Sequence, residues 1–369
     1  MAARAQNQTL NEFEAALSTV RRGKRLENGQ IRFLLGLTDN TLYGRLFHAA
    51  REARNEHFGN TVFLYGFVYF STFCRNDCAF CHYRSANHRL PRQRKSTDEI
   101  LAASVRLAEA GAHLIDLTMG EDPLLAGDEI GGTEVLVDSL RAVQSATGLP
   151  VMVSPGVASS DLLERLAGAG ADWYACYQET HTRSLFARLR PGQSFDARWD
   201  AKLGARDRGL LVEEGILSGV GETVDDLSVS LAMMRALDAD QVRVMSFVPQ
   251  PGTPMAGVPA PSDLRELLII AVLRLAFPDR LIPASLDVAG LEGLRCRLGA
   301  GANVVTSLIA PNAGMTGVAS RARDIDTARR MPPAVNSVLA RCGLAPAGRD
   351  EYRNWVRQRR QAVSATQNR

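Results

Sequence analysis

Three cysteines, Cys74, Cys78 and Cys81, lie within eight positions in the segment STFCRNDCAFCHYR, and no fourth cysteine follows nearby. Such spacing is typical of a metal site, but a structural zinc normally has four protein ligands. His82 directly follows Cys81, yet adjacent residues rarely both reach one tetrahedral metal. A four-iron cluster held by three thiolates leaves one iron open for a small chelating molecule. The spacing therefore favours an iron–sulfur centre with an open coordination position.

The chain around these cysteines alternates short apolar runs with helical stretches. The runs predict eight strands, at Val62–Phe70, His113–Met119, Pro150–Pro155, Asp172–Gln178, Leu210–Gly219, Gln241–Pro249, Leu281–Asp287 and Asn303–Ile309. Helical stretches separate them, such as the one after Ser96, which forms a capping-box pattern with Glu99. This alternation predicts parallel βα units and, with eight of them, a closed (β/α)8 TIM-type barrel in the α/β class. A doubly wound open sheet is the alternative.

Helical segments flank the predicted barrel on both sides. We expect residues 1–59 to form an N-terminal helical extension, residues 60–330 the barrel, and residues 331–369 a short C-terminal helical tail with a frayed end. In such a barrel, chemistry occurs at the carboxyl ends of the strands and in the loops that follow them. The three cysteines lie in the first of these loops.

Composition argues against several classes of function. The 369 residues include 43 basic and 40 acidic side chains, a net charge of +3, so no nucleic-acid partner is expected. The N-terminus lacks the apolar core of a signal peptide and no apolar run is long enough for a membrane span, which predicts a cytoplasmic protein without membrane contact. The basic run from Arg92 to Lys95 is typical of a solvated face. We expect the scattered Cys176, Cys296 and Cys342 to be small buried residues.

The cysteine segment resembles the signature of radical S-adenosylmethionine (SAM) enzymes, Cys-x3-Cys-x-aromatic-Cys, with Phe80 as the aromatic residue. In that family the cysteines hold a [4Fe–4S] cluster whose open iron chelates the amino and carboxylate groups of SAM. One electron from the cluster then cleaves SAM to a 5′-deoxyadenosyl radical. The resemblance implies Cys74, Cys78 and Cys81 as cluster ligands, with a [4Fe–4S] cluster and SAM as cofactors.

Three further segments resemble cofactor-binding segments of the same family. The segment MGEDP resembles the loop that contacts the SAM amino group, with Glu121 at the matching position. GILSGVGE is similar to the strand end that approaches adenosine, which implies Gly219. YQETHTRSLFARLRPGQSFDAR resembles a segment in which a Glu and an Arg contact the SAM amino acid and ribose, and Glu179 and Arg198 occupy those positions. The fork of an arginine suits a carboxylate.

Four polar residues on other predicted strands are candidates for substrate contacts. Arg243 is a full charge within an apolar strand, which is costly unless it is paired. Ser285 and Asp287 lie two residues apart and so on one side of a strand, and Asp116 is embedded in the second strand. One arginine and two carboxylates suit a small zwitterion with a further ammonium group. An internal ion-pair network that fills the barrel is the alternative interpretation.

From about residue 9 to residue 348 the chain resembles radical SAM enzymes that isomerise L-lysine to (3R)-3-methyl-D-ornithine in pyrrolysine biosynthesis. There the radical removes a hydrogen from the lysine side chain, the Cα–Cβ bond breaks, and the fragments rejoin at a different carbon. The resemblance implies that Arg243, Ser285 and Asp287 hold the amino-acid end of the substrate and that Asp116 contacts an amine. It also implies an electron donor such as flavodoxin or ferredoxin.

Two alternatives remain open at this point. A radical SAM enzyme of the same branch could act on another amino acid, since the charge pattern also fits ornithine or another diamino acid. An iron–sulfur electron carrier or sensor would share the cysteines but would not need the cofactor segments. The segment HYRSANHRLPRQRKS is more basic than the resemblance leads us to expect, and Tyr65 and Gly66 could line the barrel. Both features leave room for altered access or substrate.

Overall fold

The computed structural model describes residues 2–126, 131–311 and 328–367. Within these ranges, eight parallel strands follow one another around a barrel in the order β6-β5-β4-β3-β2-β1-β8-β7. The strands are β1 (Thr61–Ser71), β2 (Leu114–Met119), β3 (Val151–Ser154), β4 (Trp173–Ala175), β5 (Leu211–Ser218), β6 (Gln241–Ser246), β7 (Pro283–Ser285) and β8 (Val304–Leu308). A parallel bridge between Gln241 and Leu281 joins β6 to β7. The barrel prediction is therefore confirmed over the open-sheet alternative, and each strand lies within one residue of its predicted segment.

Helices connect the strands and cover the outside of the barrel. They are α4 (Thr97–Glu109), α5 (Pro123–Ala126), α6 (Gly132–Thr147), α7 (Ser160–Gly168), α8 (Arg183–Leu189), α9 (Phe195–Asp207), α10 (Val224–Ala236), α11 (Asp263–Ala276) and α12 (Gly290–Gly299). The predicted capping box starts α4, because the Ser96 hydroxyl accepts from the Glu99 N–H and the Glu99 carboxylate accepts from the Ser96 N–H. These pairs satisfy two backbone donors at the helix start.

Strand β1 separates the barrel interior from the helical layer. Its alternate residues Phe63, Tyr65, Phe67 and Tyr69 belong to the cluster of side chains that fills the barrel. Tyr65 therefore lines the interior, as the sequence allowed. Gly66 does not, because a Cβ atom at this position would lie 3.0 Å from Leu107 of α4. Glycine here permits close packing of α4 on the strand.

Three N-terminal helices pack on the outside of the barrel. They are α1 (Ala2–Arg21), α2 (Asn28–Leu35) and α3 (Tyr43–Phe58), with a short 3-10 turn (Asn40–Leu42) before α3. Helix α2 contacts α10, and α3 contacts α11. The buried Arg54 of α3 donates to the Leu298 carbonyl in α12 at 2.8 Å. This contact joins α3 to α12, the helix that directly precedes β8.

The C-terminal segment forms the floor of the barrel. It contains α13 (Pro332–Arg341), β9 (Ala345–Pro346), which pairs with the start of β1, and α14 (Arg349–Gln367). Tyr352 is fully buried, with its hydroxyl 2.8 Å from that of Tyr65, and Trp355 stacks on Trp173. The helical tail expected from the sequence thus packs against the open end of the barrel. The frayed end expected after it falls on residues 368–369, outside the described residues.

Arginines of α14 fix this floor to the surrounding helices. They donate to carbonyls at the C-terminal ends of α4, α6 and α9: Arg349 to Ala108, Arg353 to Gly148 and Arg360 to Gly209. Cations are favourable at the negative ends of helix dipoles. A groove of about 640 Å³ between α6 and α14 is lined by two of these side chains, Arg353 and Arg360, and we therefore interpret it as structural. No helix within the described ranges is both long and apolar enough to span a membrane.

Candidate active site

The three cysteines lie in the loop that leads from β1 to α4, at the carboxyl end of the barrel. Backbone hydrogen bonds hold this loop against its neighbours, from Arg75 to the Glu121 carbonyl at 3.0 Å and from Ala79 to the Leu189 carbonyl at 2.8 Å. Burial raises the pKa of the Cys74 and Cys81 thiols. A cationic partner is therefore needed to hold them as thiolates at neutral pH.

Two arginines brace the cysteine loop. The solvated face predicted for this basic run is present only in part, because Arg94 is exposed whereas Arg92 is half-buried. Arg92 donates to the carbonyls of Thr72, Tyr83 and Arg84. Arg94 forms a two-pronged ion pair with the buried Asp122, at 2.7 and 3.0 Å, and lies 3.7 Å from the centre of the Phe73 ring. The basic segment that departs from the family resemblance thus shapes the loop that carries the cysteines.

One cavity of about 180 Å³ collects most of the residues expected to bind cofactors. Its walls include Cys74, Cys78, Cys81, Phe80, Glu121, Glu179 and Arg198. Gly219 is not part of this wall. It directly follows β5 with φ +92°, and a Cβ atom there would lie 2.5 Å from Pro261. This close approach accounts for glycine at that position.

Charged groups face each other across the cavity. Arg198 lies 3.4 Å from Glu121, which also pairs with Arg75 at 3.0 Å. Burial acts to raise the pKa of Glu121, but Arg198 and Arg75 outweigh it and the net pKa is lowered. Burial raises the pKa of Glu179, although Arg190 opposes the shift from 2.9 Å. The cavity therefore presents two carboxylates, Glu121 and Glu179, and two arginines, Arg190 and Arg198, to a ligand.

Two backbone features keep Glu121 and Glu179 in position. Glu179 has φ +67°, a left-handed conformation that is unfavourable for a residue other than glycine. Its backbone N–H and carbonyl bond to Gly215 and Leu217 at 3.1 and 2.9 Å, which holds this conformation. Gly156 has φ +85°, and a Cβ atom there would lie 2.6 Å from the Glu121 side chain. Stored backbone strain of this kind is typical of functional sites.

Asp116 and Arg243 lie in the barrel interior, close to each other. Asp116 accepts from the Ser154 hydroxyl at 2.9 Å. Its burial, and next the charge of Glu213, raise its pKa to about 8. Arg243 Nε lies 2.6 Å from Glu213, which also accepts from the Tyr177 hydroxyl at 2.8 Å. At neutral pH the Asp116 carboxyl is therefore mainly protonated, whereas Arg243 and Glu213 form an ion pair.

Ser285 and Asp287 form a second polar group, with partners from β8 and β1. The Ser285 and Ser307 hydroxyls lie 3.2 Å apart, and Ser307 donates to Asp287 at 2.8 Å. Asp287 also accepts from the Tyr69 hydroxyl at 3.2 Å and pairs with the buried Arg330 at 2.8 Å. Ser307 has φ +64°, a second strained non-glycine residue. The internal ion-pair network considered above is thus present around both Arg243 and Asp287.

Three side chains connect these polar groups to the cavity that holds the cysteines. Ser154, Tyr177 and Tyr69 line that cavity. Ser154 bonds to Asp116, Tyr177 to Glu213 beside Arg243, and Tyr69 to Asp287. Asp116 and Asp287 therefore lie one side chain from the cavity. Arg243 is linked to it through Glu213 and Tyr177, and Ser285 lies beside Asp287.

Comparison with known proteins assigns the family. A family model described as the radical SAM superfamily matches residues 68–234. The 3-methylornithine synthases of Methanosarcina barkeri and Methanosarcina acetivorans are 43% and 42% identical, over 94% and 91% of this chain and 98% and 94% of their own length. This chain belongs to the 3-methylornithine synthase family. The crystal structure of methylornithine synthase (PylB) agrees, with a TM-score of 0.87 at 42% identity over 92% of this chain and 99% of that one.

As radical SAM proteins, members of this family use a [4Fe–4S] cluster and SAM, and the residues present fit both. The Cys74 and Cys81 thiols, whose pKa is raised by burial, need a cationic partner to be held as thiolates, and the buried Cys78 lies in the same cavity. Glu179 Oε2 and Arg198 Nε are buried and have no hydrogen-bond partner among the described residues. A ligand with an ammonium and a carboxylate, such as the amino-acid part of SAM, would satisfy such groups. Within the described residues, no three His, Cys, Asp or Glu side chains converge closely enough to hold a single metal ion.

Several charged and polar residues of the candidate site could not be predicted from the sequence. They are Arg190 beside Cys78 and Glu179, Glu213 beside Arg243, and Ser307 and Arg330 beside Asp287. Glu213 carried a signal, a charge within the apolar fifth strand. Of the other cysteines, Cys176 is buried and accepts from Arg198 at 2.9 Å. Cys296 is exposed, so its predicted burial is wrong.

Proposed function

We propose that the protein is a radical SAM mutase that isomerises L-lysine to (3R)-3-methyl-D-ornithine in pyrrolysine biosynthesis. The observation that carries the proposal is the position of Asp116, Arg243, Ser285 and Asp287 directly beneath the cysteine cavity. A carbon radical generated in that cavity would meet a substrate held by these four residues. Family membership supports the same reaction.

The charge of the polar interior supports a diamino acid as substrate. With Asp116 ionised, three carboxylates face two arginines, which leaves one negative charge: the carboxylates are Asp116, Glu213 and Asp287, and the arginines are Arg243 and Arg330. Lysine carries one carboxylate and two ammonium groups and so one net positive charge. A buried charge is costly unless it is compensated. Lysine therefore complements the ionised interior, whereas an amino acid with a neutral side chain does not.

Free hydrogen-bonding capacity supports the orientation of the substrate. Arg243 Nη2 is buried and has no hydrogen-bond partner among the described residues. In our proposal it binds the substrate carboxylate together with the Ser285 hydroxyl, because an arginine fork matches carboxylate geometry. Asp287 then holds the α-ammonium group, and Asp116 the side-chain ammonium group.

The residues around the substrate also protect and retain the reacting groups. When bound, the cluster and SAM supply an electron and a carbon-centred radical that abstracts hydrogen from the substrate. The Tyr69 and Tyr177 hydroxyls donate to Asp287 and Glu213, so their hydrogens point away from the cavity. Arg243 and Asp116 hold opposite ends of the substrate, which keeps both fragments in place when the Cα–Cβ bond breaks. Recombination can then occur before either fragment leaves.

The roles of the cofactor-side residues are part of the proposal. Cys74, Cys78 and Cys81 bind the cluster, and Phe80 packs beside it. Glu121, Glu179 and Arg198 hold the amino-acid and ribose parts of SAM, supported by the burial and free polar atoms of this cavity. Gly219 approaches adenosine from the end of β5.

The test is anaerobic turnover of the reconstituted protein with reductant, SAM and L-lysine. Mass spectrometry should find a lysine isomer that co-elutes with 3-methylornithine. Asp287→Asn should retain iron content and reductive SAM cleavage but lose this product, while the exposed Asp279→Asn should retain all three. Normal turnover by Asp287→Asn would refute the assignment. Formation of 5′-deoxyadenosine with unchanged lysine would point to another diamino acid as substrate.

We further propose a flavodoxin or ferredoxin as electron donor and a cytoplasmic location. A reducing compartment suits a protein in which all six cysteines are free. The division into an N-terminal extension (1–59), a barrel (60–330) and a C-terminal extension (331–369) also remains a proposal. It is supported by the packing of α1–α3 outside the barrel and of α14 beneath it.

A further inference from the structure

Arg190, at the C-terminal end of α8, connects a cluster cysteine with a SAM-binding carboxylate. Its Nη1 donates to Cys78 Sγ at 3.3 Å, and its Nη2 pairs with Glu179 at 2.9 Å and donates to the Tyr177 carbonyl at 3.1 Å. The side chain is buried, and its guanidinium carbon lies 5.4 Å from the centre of the Phe80 ring. A buried cation thus touches both halves of the cofactor site.

Gln193 provides a second donor to the same sulfur. Its Nε2 donates to Cys78 Sγ at 3.0 Å, and its Oε1 accepts from Arg198 at 2.8 Å. The backbone bond from Ala79 to Leu189 fixes the cysteine loop to the segment that carries both donors. Among the described residues, these are the side-chain hydrogen bonds to the three loop cysteines, and both go to Cys78.

We propose that Arg190 and Gln193 raise the reduction potential of the cluster through Cys78, and that Glu179 limits the effect of Arg190. Reduction adds one electron from an external reductant to the cluster, and no bond or proton need change. N–H donors to a cluster sulfur stabilise the more negative, reduced form. The Arg190 guanidinium bonds to the sulfur through Nη1 and to Glu179 through Nη2. The positive charge therefore lies closer to the sulfur than the negative charge of Glu179 does.

The inference rests on Cys78 as a cluster ligand, which is part of the proposed function, but not on the identity of the substrate. The reduction potential of the cluster matters for the reaction, because it determines how readily the reduced cluster forms and how strongly that cluster then reduces SAM. Arg190 and Gln193 are positioning residues, since they act through Cys78. Their effect can be measured without SAM, lysine or turnover.

The experiment is an EPR-monitored redox titration of the reconstituted protein with dithionite. Arg190→Gln should shift the midpoint potential to a more negative value at unchanged iron and sulfide content. Gln193→Leu should shift it in the same direction by less, because only a neutral donor is lost. Glu179→Gln should shift it to a more positive value, because the charge of Arg190 is then unopposed. The control is Arg183→Gln on the same helix, whose exposed side chain pairs with Asp196.

A wild-type potential in both donor variants at full cluster content would overturn the inference, as would a negative shift in Glu179→Gln. If Arg190→Gln fails to incorporate iron, Gln193→Leu decides, because it leaves the Arg190–Glu179 pair intact. A separate variant, Cys78→Ala, tests the underlying assignment. Full cluster content in that variant would refute Cys78 as a ligand, a result distinct from an unchanged potential.

Discussion

Asp116 should release a proton when lysine binds. The residue is 1% exposed, and burial followed by the charge of Glu213 raises the pKa of its carboxyl to about 8. At pH 7 about one tenth of the molecules carry the ionised form, and ionising the rest costs about 1.4 kcal/mol. A bound ammonium group reverses the preference, because an opposite charge stabilises the carboxylate. We therefore expect lysine affinity to fall about tenfold for each pH unit below 8.

Calorimetry on the reconstituted protein with SAM and without reductant measures this directly, since no turnover occurs. Titrations with L-lysine at pH 6, 7 and 8, in buffers of different ionisation enthalpy, give both affinity and proton release. We expect release of about one proton per lysine at pH 7 in the wild type. Asp116→Asn should bind lysine more weakly at pH 8, without proton release and without the pH dependence. Asp161→Asn, an exposed position on α7, is the matched control.

The same pKa has a consequence for stability with the opposite pH trend. Because the folded pKa lies above the ordinary value of 3.8, the contribution of Asp116 to stability is complete below about pH 4 and is lost as pH rises towards 8. The shift of about four units sets an upper limit of about 6 kcal/mol. The wild type should therefore lose more stability than Asp116→Asn between pH 4 and pH 8.

For lysine binding, an affinity that does not change from pH 6 to 8 would refute the reasoning. A pH dependence of lysine affinity that persists in Asp116→Asn would refute it equally.

Two further predictions concern backbone strain around the site. In denaturant unfolding, the free energy of unfolding of Ser307→Gly should exceed that of Ser307→Ala by about 1 kcal/mol, because glycine tolerates φ +64°. The comparison isolates the backbone, since both variants lose the hydroxyl bonds to Ser285 and Asp287. Both variants should bind lysine more weakly in calorimetry. Equal stability of the two variants would contradict backbone strain at Ser307. Gly156→Ala should lose about 1–2 kcal/mol in denaturation and bind SAM more weakly, because its Cβ atom would displace Glu121. The control is Gly168→Ala, where an added Cβ atom meets nothing within 4 Å, and it should keep its SAM affinity. Unchanged SAM affinity in Gly156→Ala would count against the role of Glu121.

The sequence by itself determined the barrel and named most of the residues that the structure brings into the candidate cofactor cavity. Apolar runs of strand length alternate with amphipathic stretches, and this periodicity is a local property that survives without knowledge of contacts. Resemblance to radical SAM segments implied roles for the cysteines, Glu121 and Glu179, and residues that follow parallel strands meet at one end of a barrel. The structure brings them to one cavity for that reason.

Tertiary structure alone decided which groups pair and which side chains are buried. Arg92 and Arg94 look like a solvated basic run, but a loop folded back on β1 turns them towards carbonyls and Asp122. The Arg-rich tail forms the barrel floor only because α14 packs against the open end of the barrel interior, where Tyr352 contacts Tyr65.

The chemistry of the polar interior depends on the same long-range placement. Glu213 reaches Arg243 because β5 and β6 are neighbours in register, and Arg190 reaches Cys78 across 112 positions of the chain. The pKa of Asp116 follows from its burial and from Glu213, which lies three strands away along the sequence. Periodicity and motifs report neighbours along the chain, whereas ion pairs, desolvation and hydrogen bonds depend on distances through space. The sequence could therefore name candidate binding residues, and only the fold could assign their partners and protonation.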